Sequence, residues 1–229
     1  MQATLINDDI AMMRSMHGTL YSYLHAHQHA IDEFTQAITL YQQRENSKHR
    51  LVDMYHQRAE AYRKVEDYVH MIADYSAALE LDPQRSQFYC SRGNAYKMLE
   101  QYDRALEDYS HALALDSRLA EPYYWRAVLY SMVYKDYEKA IADYSAALAC
   151  EPTFVQAHVN RGHNYMELCR YEQALNDFSK AIHLQPRLAT AYYERGFVHQ
   201  QLGHMEKSEV DYHTALQLNP QLAYLEQYV

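Results

Sequence analysis

Histidines and cysteines are the side chains of this chain best suited to hold a metal or attack a substrate. Three of its fourteen histidines, His25, His27 and His29, stand together in the run His-Ala-His-Gln-His. Imidazole is a common metal ligand, and His25 and His29 would share a face if the run were helical. A tetrahedral site needs further N, S or O donors, and no carboxylate or cysteine stands at a completing distance. The run reads as a solvated polar turn, so no metal is expected. Cys90, Cys150 and Cys169 are far apart and form no C-x-x-C pair. That usage fits a reduced, cytoplasmic setting. Cys90 is a small filler or a reachable thiol. The chain contains no P-loop, G-x-G-x-x-G, H-E-x-x-H or G-x-S-x-G. No catalytic residues and no cofactor are expected, and the chain reads as non-enzymatic.

The elements that would position any site come from a period. From Ala11 onward a pattern returns about every 34 residues, the spacing of a helix–turn–helix repeat. Its clearest copies are Tyr89-Cys-Ser-Arg-Gly-Asn-Ala-Tyr96 leading to Ala105-Leu-Glu-Asp-Tyr-Ser-His-Ala112, and Arg161-Gly-His-Asn-Tyr165 leading to Ala174-Leu-Asn-Asp-Phe-Ser-Lys-Ala181. The copies fall at 11–51, 52–85, 86–119, 120–154, 155–188 and 189–222, after a lead-in at 1–10 and before a truncated helix at 223–229. Repeat position 8 is small (Gly18, Ala59, Gly93, Ala127, Gly162, Gly196), and position 27 is always alanine. Aromatics such as Tyr89, Tyr96, Tyr102 and Tyr109 are spaced to share helical faces. This accounts for the 24 tyrosines without a cofactor. Pro83, Pro152, Pro186 and Pro220 end the second helix of four repeats, because proline lacks an N–H and clashes with the preceding turn.

The pattern resembles the tetratricopeptide repeat (TPR) family over nearly the whole chain. The resemblance implies an all-α, α–α superhelical TPR solenoid of about six repeats, each leaning on its neighbours, and the unbroken period argues for one domain. Three departures stand out. About seven extra residues, Glu45 to Leu51, are expected to lengthen the second helix of repeat 1. Repeat 4 has one extra residue in its inter-helix turn, near Val133 to Asp136. Met71 replaces the alanine of position 20, so the helices of repeat 2 are expected to spread or repack.

Two charged columns recur together: Arg58, Arg92, Arg126, Arg161 and Arg195, and Asp74, Asp108, Asp143, Asp177 and Asp211. A guanidinium can grip a carboxylate with two hydrogen bonds, so these read as pairs across each hairpin or between neighbouring repeats, not as a row gripping an acidic ligand. In repeat 1 His17 and Glu33 hold the same positions.

In TPR proteins the first helix of each repeat lines a concave groove. Carrying that over selects a small basic zone, Arg63, Lys64 and Lys97, with Asn94 beside it. It also selects an aromatic and apolar zone, Tyr124, Trp125, Val128, Met132, Met166, Tyr193 and Phe197, with Asn160 and His163 among them. Trp125 is the sole tryptophan, and buried aromatics anchor binding energy. The resemblance implies a scaffold binding a protein or peptide with acidic and apolar groups; a small signalling peptide or metabolite in the same groove is the alternative. The carboxylate clamp that grips heat-shock tails in this family is incomplete: Asn94 is present, but Cys90, Trp125, Gln156 and Asn160 replace other members.

The formal net charge is −9 and the basic residues are scattered, which argues against nucleic acid. No apolar run approaches the ~20 residues of a membrane span, and the first residues lack a signal peptide's basic start and apolar core. The tail Ala223 to Val229 restarts a helix and stops, so either the chain continues or that edge packs on another molecule. Self-association through the C-terminal edge is expected on this ground.

Overall fold

The computed structural model describes residues 2–44 and 47–222, with side chains from Asp8 onward. Among these residues there are twelve helices and no strand: α1 (Gln2–Tyr23), α2 (His27–Gln42), α3 (Lys48–Lys64), α4 (Tyr68–Leu81), α5 (Ser86–Met98), α6 (Tyr102–Leu115), α7 (Ala120–Met132), α8 (Tyr137–Cys150), α9 (Val155–Glu167), α10 (Tyr171–Leu184), α11 (Ala189–Gln201) and α12 (Met205–Leu218). The chain forms two compact units, residues 1–117 and 118–229. The first stacks the hairpins α1/α2, α3/α4 and α5/α6, and the second α7/α8, α9/α10 and α11/α12. Below, the first helix of each hairpin is its A helix and the second its B helix.

One device turns every hairpin. His25, Glu66, Glu100, Lys135, Cys169 and Gly203 all have left-handed backbone, with φ between 54° and 75°. The amide of the residue after each donates to a carbonyl in the last turn of the A helix, as in Asp67 N to Tyr62 O at 3.0 Å and Gln101 N to Tyr96 O at 2.9 Å. This is the Schellman ending, which satisfies carbonyls the helix leaves unpaired. In repeat 4 the turn holds four residues instead of three, and Asp136 N reaches Tyr130 O at 2.9 Å. The extra residue is where the sequence put it. Asp67 and Asp136 then cap α4 and α8, accepting the amides of His70 and Lys139 at 3.1 Å.

Small residues let the two helices of a hairpin approach. A Cβ added at Gly93 would lie 2.8 Å from the Tyr109 ring, and one at Gly162 would lie 2.9 Å from Phe178. Ala105, Ala112, Ala140, Ala147, Ala174 and Ala181 are wholly buried in the same seams. Met71 is buried too and packs with Val52, Ala59 and Tyr75 in the core of repeat 2. Proline is not what stops the B helices: α6 ends at Leu115 ahead of Ser117, at the same repeat position as α4 ahead of Pro83.

The expectation for the extra residues of repeat 1 is corrected. Helix α2 ends at Gln42, and Lys48 to Leu51 form the first turn of α3. Glu45 and Asn46 lie outside the described residues. The physical reason is capping. The buried Ser47 hydroxyl donates to the Tyr41 carbonyl, satisfying the end of α2, with the Arg44 carbonyl also in reach, and Arg44 is held by Asp8. The lead-in is helical from Gln2 and continues directly into α1.

Candidate ligand-binding face

The charged columns meet as bidentate pairs within each hairpin. Arg58 Nε and Nη2 donate to Asp74 at 2.8 and 2.6 Å, and Arg92 to Asp108 at 2.8 and 2.7 Å. Arg126–Asp143, Arg161–Asp177 and Arg195–Asp211 repeat the geometry at 2.7–2.8 Å. The carboxylates are almost wholly buried and the guanidiniums about one-fifth exposed. Hydrogen bonding to its Asp, against the opposing effect of burial, raises the pKa of Arg92, Arg126 and Arg195. In repeat 1 Glu33 accepts from Arg14 at 2.9 and 3.1 Å, and His17, one turn on, lies 4.0 Å from the same carboxylate.

The sequence reading missed a third column. The remaining guanidinium nitrogen donates backwards to a hydroxyl on the preceding B helix: Arg58 to Thr35 at 2.9 Å, Arg92 to Ser76 at 3.0 Å, Arg161 to Ser145 at 2.9 Å and Arg195 to Ser179 at 3.2 Å. The signal was present, since Ser or Thr stands two residues after Glu33, Asp74, Asp108, Asp143 and Asp177, though His213 takes that place after Asp211. His158 was missed as well. Its Nδ1 lies 3.0 Å from Asp177 and its Nε2 3.1 Å from the Pro152 carbonyl.

In residues 1–117, Arg63 is balanced by Glu60 at 2.8 Å, and Glu60 also accepts the Tyr75 hydroxyl at 2.6 Å. Burial pushes the Glu60 carboxyl up, but the hydrogen bonds from Tyr75 and Arg63 prevail and hold it below its ordinary value. Asn94 accepts the Tyr109 hydroxyl at 2.8 Å. Lys64 is exposed and Lys97 half-buried, while Cys90 is buried and so acts as filler.

In residues 118–229 the A helices are tied side to side. Asn160 donates to the Tyr124 hydroxyl at 3.2 Å, Ser131 to Asn164 at 2.7 Å, and His163 lies 3.3 Å from Glu194. This brings α7, α9 and α11 onto one wall. Trp125 is half-buried there, its indole N–H donating to Glu121 at 3.2 Å and its ring edge-on to Tyr124 at 4.9 Å. Tyr124 is more structural than a groove residue should be: it packs on Phe154 at 4.6 Å and on Tyr144, and burial raises its phenol. Val128, Met166 and Tyr193 are partly buried against the hairpin cores. Phe197 is half-buried and His163 exposed.

Comparison with known proteins decides the family. Models described as tetratricopeptide repeat match residues 52–85, 86–119 and 189–222, and one described as TPR repeat matches 162–203. The chain belongs to the TPR family. Its hairpins pack as TPR hairpins do, and solved TPR structures share the fold. The crystal structure of YrrB, "a TPR protein with an unusual peptide-binding site", is 22% identical with a TM-score of 0.71, covering 86% of this chain and 98% of that one. The crystal structure of MamA is 22% identical with a TM-score of 0.67, covering 72% and 96%. MamA from Desulfovibrio magneticus RS-1, residues 41 to the end, is 16% identical with a TM-score of 0.68, covering 75% and 96%. At these identities the likeness is one of fold. A search of curated proteins finds no match. Among the described residues no helix is long and apolar enough to cross a membrane.

Proposed function

We propose that this TPR protein is a non-catalytic scaffold, and that the wall formed by α7, α9 and α11 binds a peptide segment of a partner protein. The observation that carries the reading is Trp125, a large, partly exposed aromatic on a wall braced by Asn160–Tyr124, Ser131–Asn164 and His163–Glu194. A braced wall loses little conformational freedom on binding, so an apolar side chain stacked on the indole contributes most of its burial energy. Met166, Tyr193 and Phe197 extend the apolar surface, and Asn160, His163 and Glu194 supply polar contacts for a peptide backbone. In residues 1–117, Arg63, Lys64, Asn94 and Lys97 are separate candidate contacts for an acidic group, and Lys64→Glu tests them by themselves. The peptide-binding description of YrrB supports this class of ligand.

The test has two steps. Affinity purification on the intact chain identifies a partner, and the purified partner is then titrated against wild type and Trp125→Ala. Loss of an anchoring indole should weaken binding by about 2 kcal/mol, roughly thirtyfold. Equal affinities would remove the wall from consideration.

A further inference from the structure

Helix α1 carries an apolar stripe that nothing in its own hairpin covers. Met12, Met13, Met16, Leu20, Tyr23 and Leu24 are 51%, 44%, 64%, 54%, 81% and 59% exposed. Their spacing of three, four and seven places the first five along one face of α1, with Leu24 just past its end.

The repeat register says what such a face is for. Met13 is repeat position 3 and Leu20 position 10. In repeats 2, 3, 5 and 6 position 3 is Met54, Phe88, Ala157 and Ala191, and position 10 is Ala61, Ala95, Asn164 and Val198; every one is buried. Those residues sit on α3, α5, α9 and α11, each packed against the B helix before it. Helix α1 therefore presents, uncovered, the surface that elsewhere receives a helix.

We propose that a second copy of this chain covers it, α1 against α1 across a twofold axis. Three observations favour that occupant. Two charges of α1 are engaged away from the stripe, Arg14 by Glu33 and Asp8 by Arg44 and Arg50, and the exposed Asp9 stands at its N-terminal end. Run antiparallel about Met16, each Asp9 faces the Tyr23 end of the other copy, so the two carboxylates stay about 20 Å apart, and no flanking cations invite an anionic membrane. Among the described residues, the outer face of α12 is not complementary. Position 21, which is Ile31, Ile72, Leu106, Ile141 and Leu175 in repeats 1 to 5, is the exposed Glu209 in α12, so a head-to-tail chain of copies would bury that carboxylate against methionine. The six exposures amount to roughly 600 Å² of apolar surface per copy. A pair would then bury on the order of 1,200 Å², the lower bound of a specific interface. Methionine suits a self-facing surface because its unbranched thioether adapts to its own image, and isologous contact closes the assembly at two.

The test is sedimentation equilibrium of the intact chain from low to high micromolar concentration. The expected result is a reversible shift from 27.0 kDa to twice that mass, weakened at least a hundredfold by Leu20→Glu. Met16→Glu, at a more exposed position, serves if Leu20→Glu melts early by circular dichroism. In a background with Cys150→Ser and Cys169→Ser, Met16→Cys should crosslink copy to copy. A wild-type mass of 27.0 kDa at every concentration would overturn the proposal. So would a dimer that both glutamates leave intact, which would place the contact elsewhere.

Discussion

Replacing Asp177 by alanine removes the acceptor of three hydrogen bonds at once. Arg161 donates two, at 2.8 and 2.7 Å, and His158 lies at 3.0 Å. The carboxylate side chain is 1% exposed, Arg161 17% and His158 10%. Breaking a buried pair costs about 3–5 kcal/mol, because the surviving charge stays out of water unpaired. Arg161 keeps its bond to Ser145 and some solvent, which moves the value down; the stranded His158 moves it up. We expect a loss of about 4 kcal/mol. Adding Arg161→Met removes the stranded cation, so the double variant should be more stable than the two single losses imply, by about 2–3 kcal/mol. Urea unfolding followed by far-ultraviolet circular dichroism and by Trp125 fluorescence measures this, and coincidence of the two probes tests for a single transition. A coupling below about 0.5 kcal/mol would refute the claim that these pairs hold the hairpins. Acid adds a second readout. Burial pushes the Asp177 carboxyl up, but hydrogen bonds from Arg161 and His158 outweigh it and leave the group below its ordinary value. Its contribution is therefore complete above the unfolded value of about 3.9 and is lost as pH falls through the lower folded value. Asp177→Asn should flatten that part of the pH–stability curve.

Glu66→Gly and Glu100→Gly should each stabilise the protein by about 0.5–1 kcal/mol, because both residues hold a left-handed backbone that glycine adopts without strain; lower melting temperatures would count against it. Gly203→Ala should cost about the same, at φ 75°. Gly162→Ala sets the helix propensity of alanine, about 1 kcal/mol, against a Cβ 2.9 Å from a fully buried ring. Overpacking costs about 1–3 kcal/mol, so a net loss near 1 kcal/mol is expected. At Gly196 the nearest atoms are 3.2–3.3 Å away, and alanine should be close to neutral. The reverse order in thermal melts would show that contact distance does not control the seam.

The fold was legible because it is written in repetition. Six copies turn weak preferences into columns, and small residues at 8 and 27 and charged residues at 7 and 23 can satisfy one geometry only. The single-copy features were harder. The extra residues of repeat 1 contain no helix breaker, so propensity extended α2, and the Ser47 hydroxyl that ends it is a tertiary fact. The backward reach of each arginine to Ser or Thr was visible as a column but needed distances to acquire a meaning. At the wall, composition marked Tyr124 and Trp125 alike as anchors. Both are half-buried, and packing separates them: Tyr124 packs on Phe154 and Tyr144 in the hairpin core, whereas Trp125 bonds Glu121 on its own helix and meets Tyr124 edge-on. The N-terminal stripe was overlooked because its methionines fit the repeat pattern, and only the exposure at positions 3 and 10 marks them as unlike their counterparts.

The backward reach gives the array a polarity. In each case the donor sits on the later hairpin and the hydroxyl on the earlier one. Each of these arginines therefore fastens two joints at once, its own hairpin through the aspartate and the seam to the hairpin before through the hydroxyl, so losing one such arginine should loosen both.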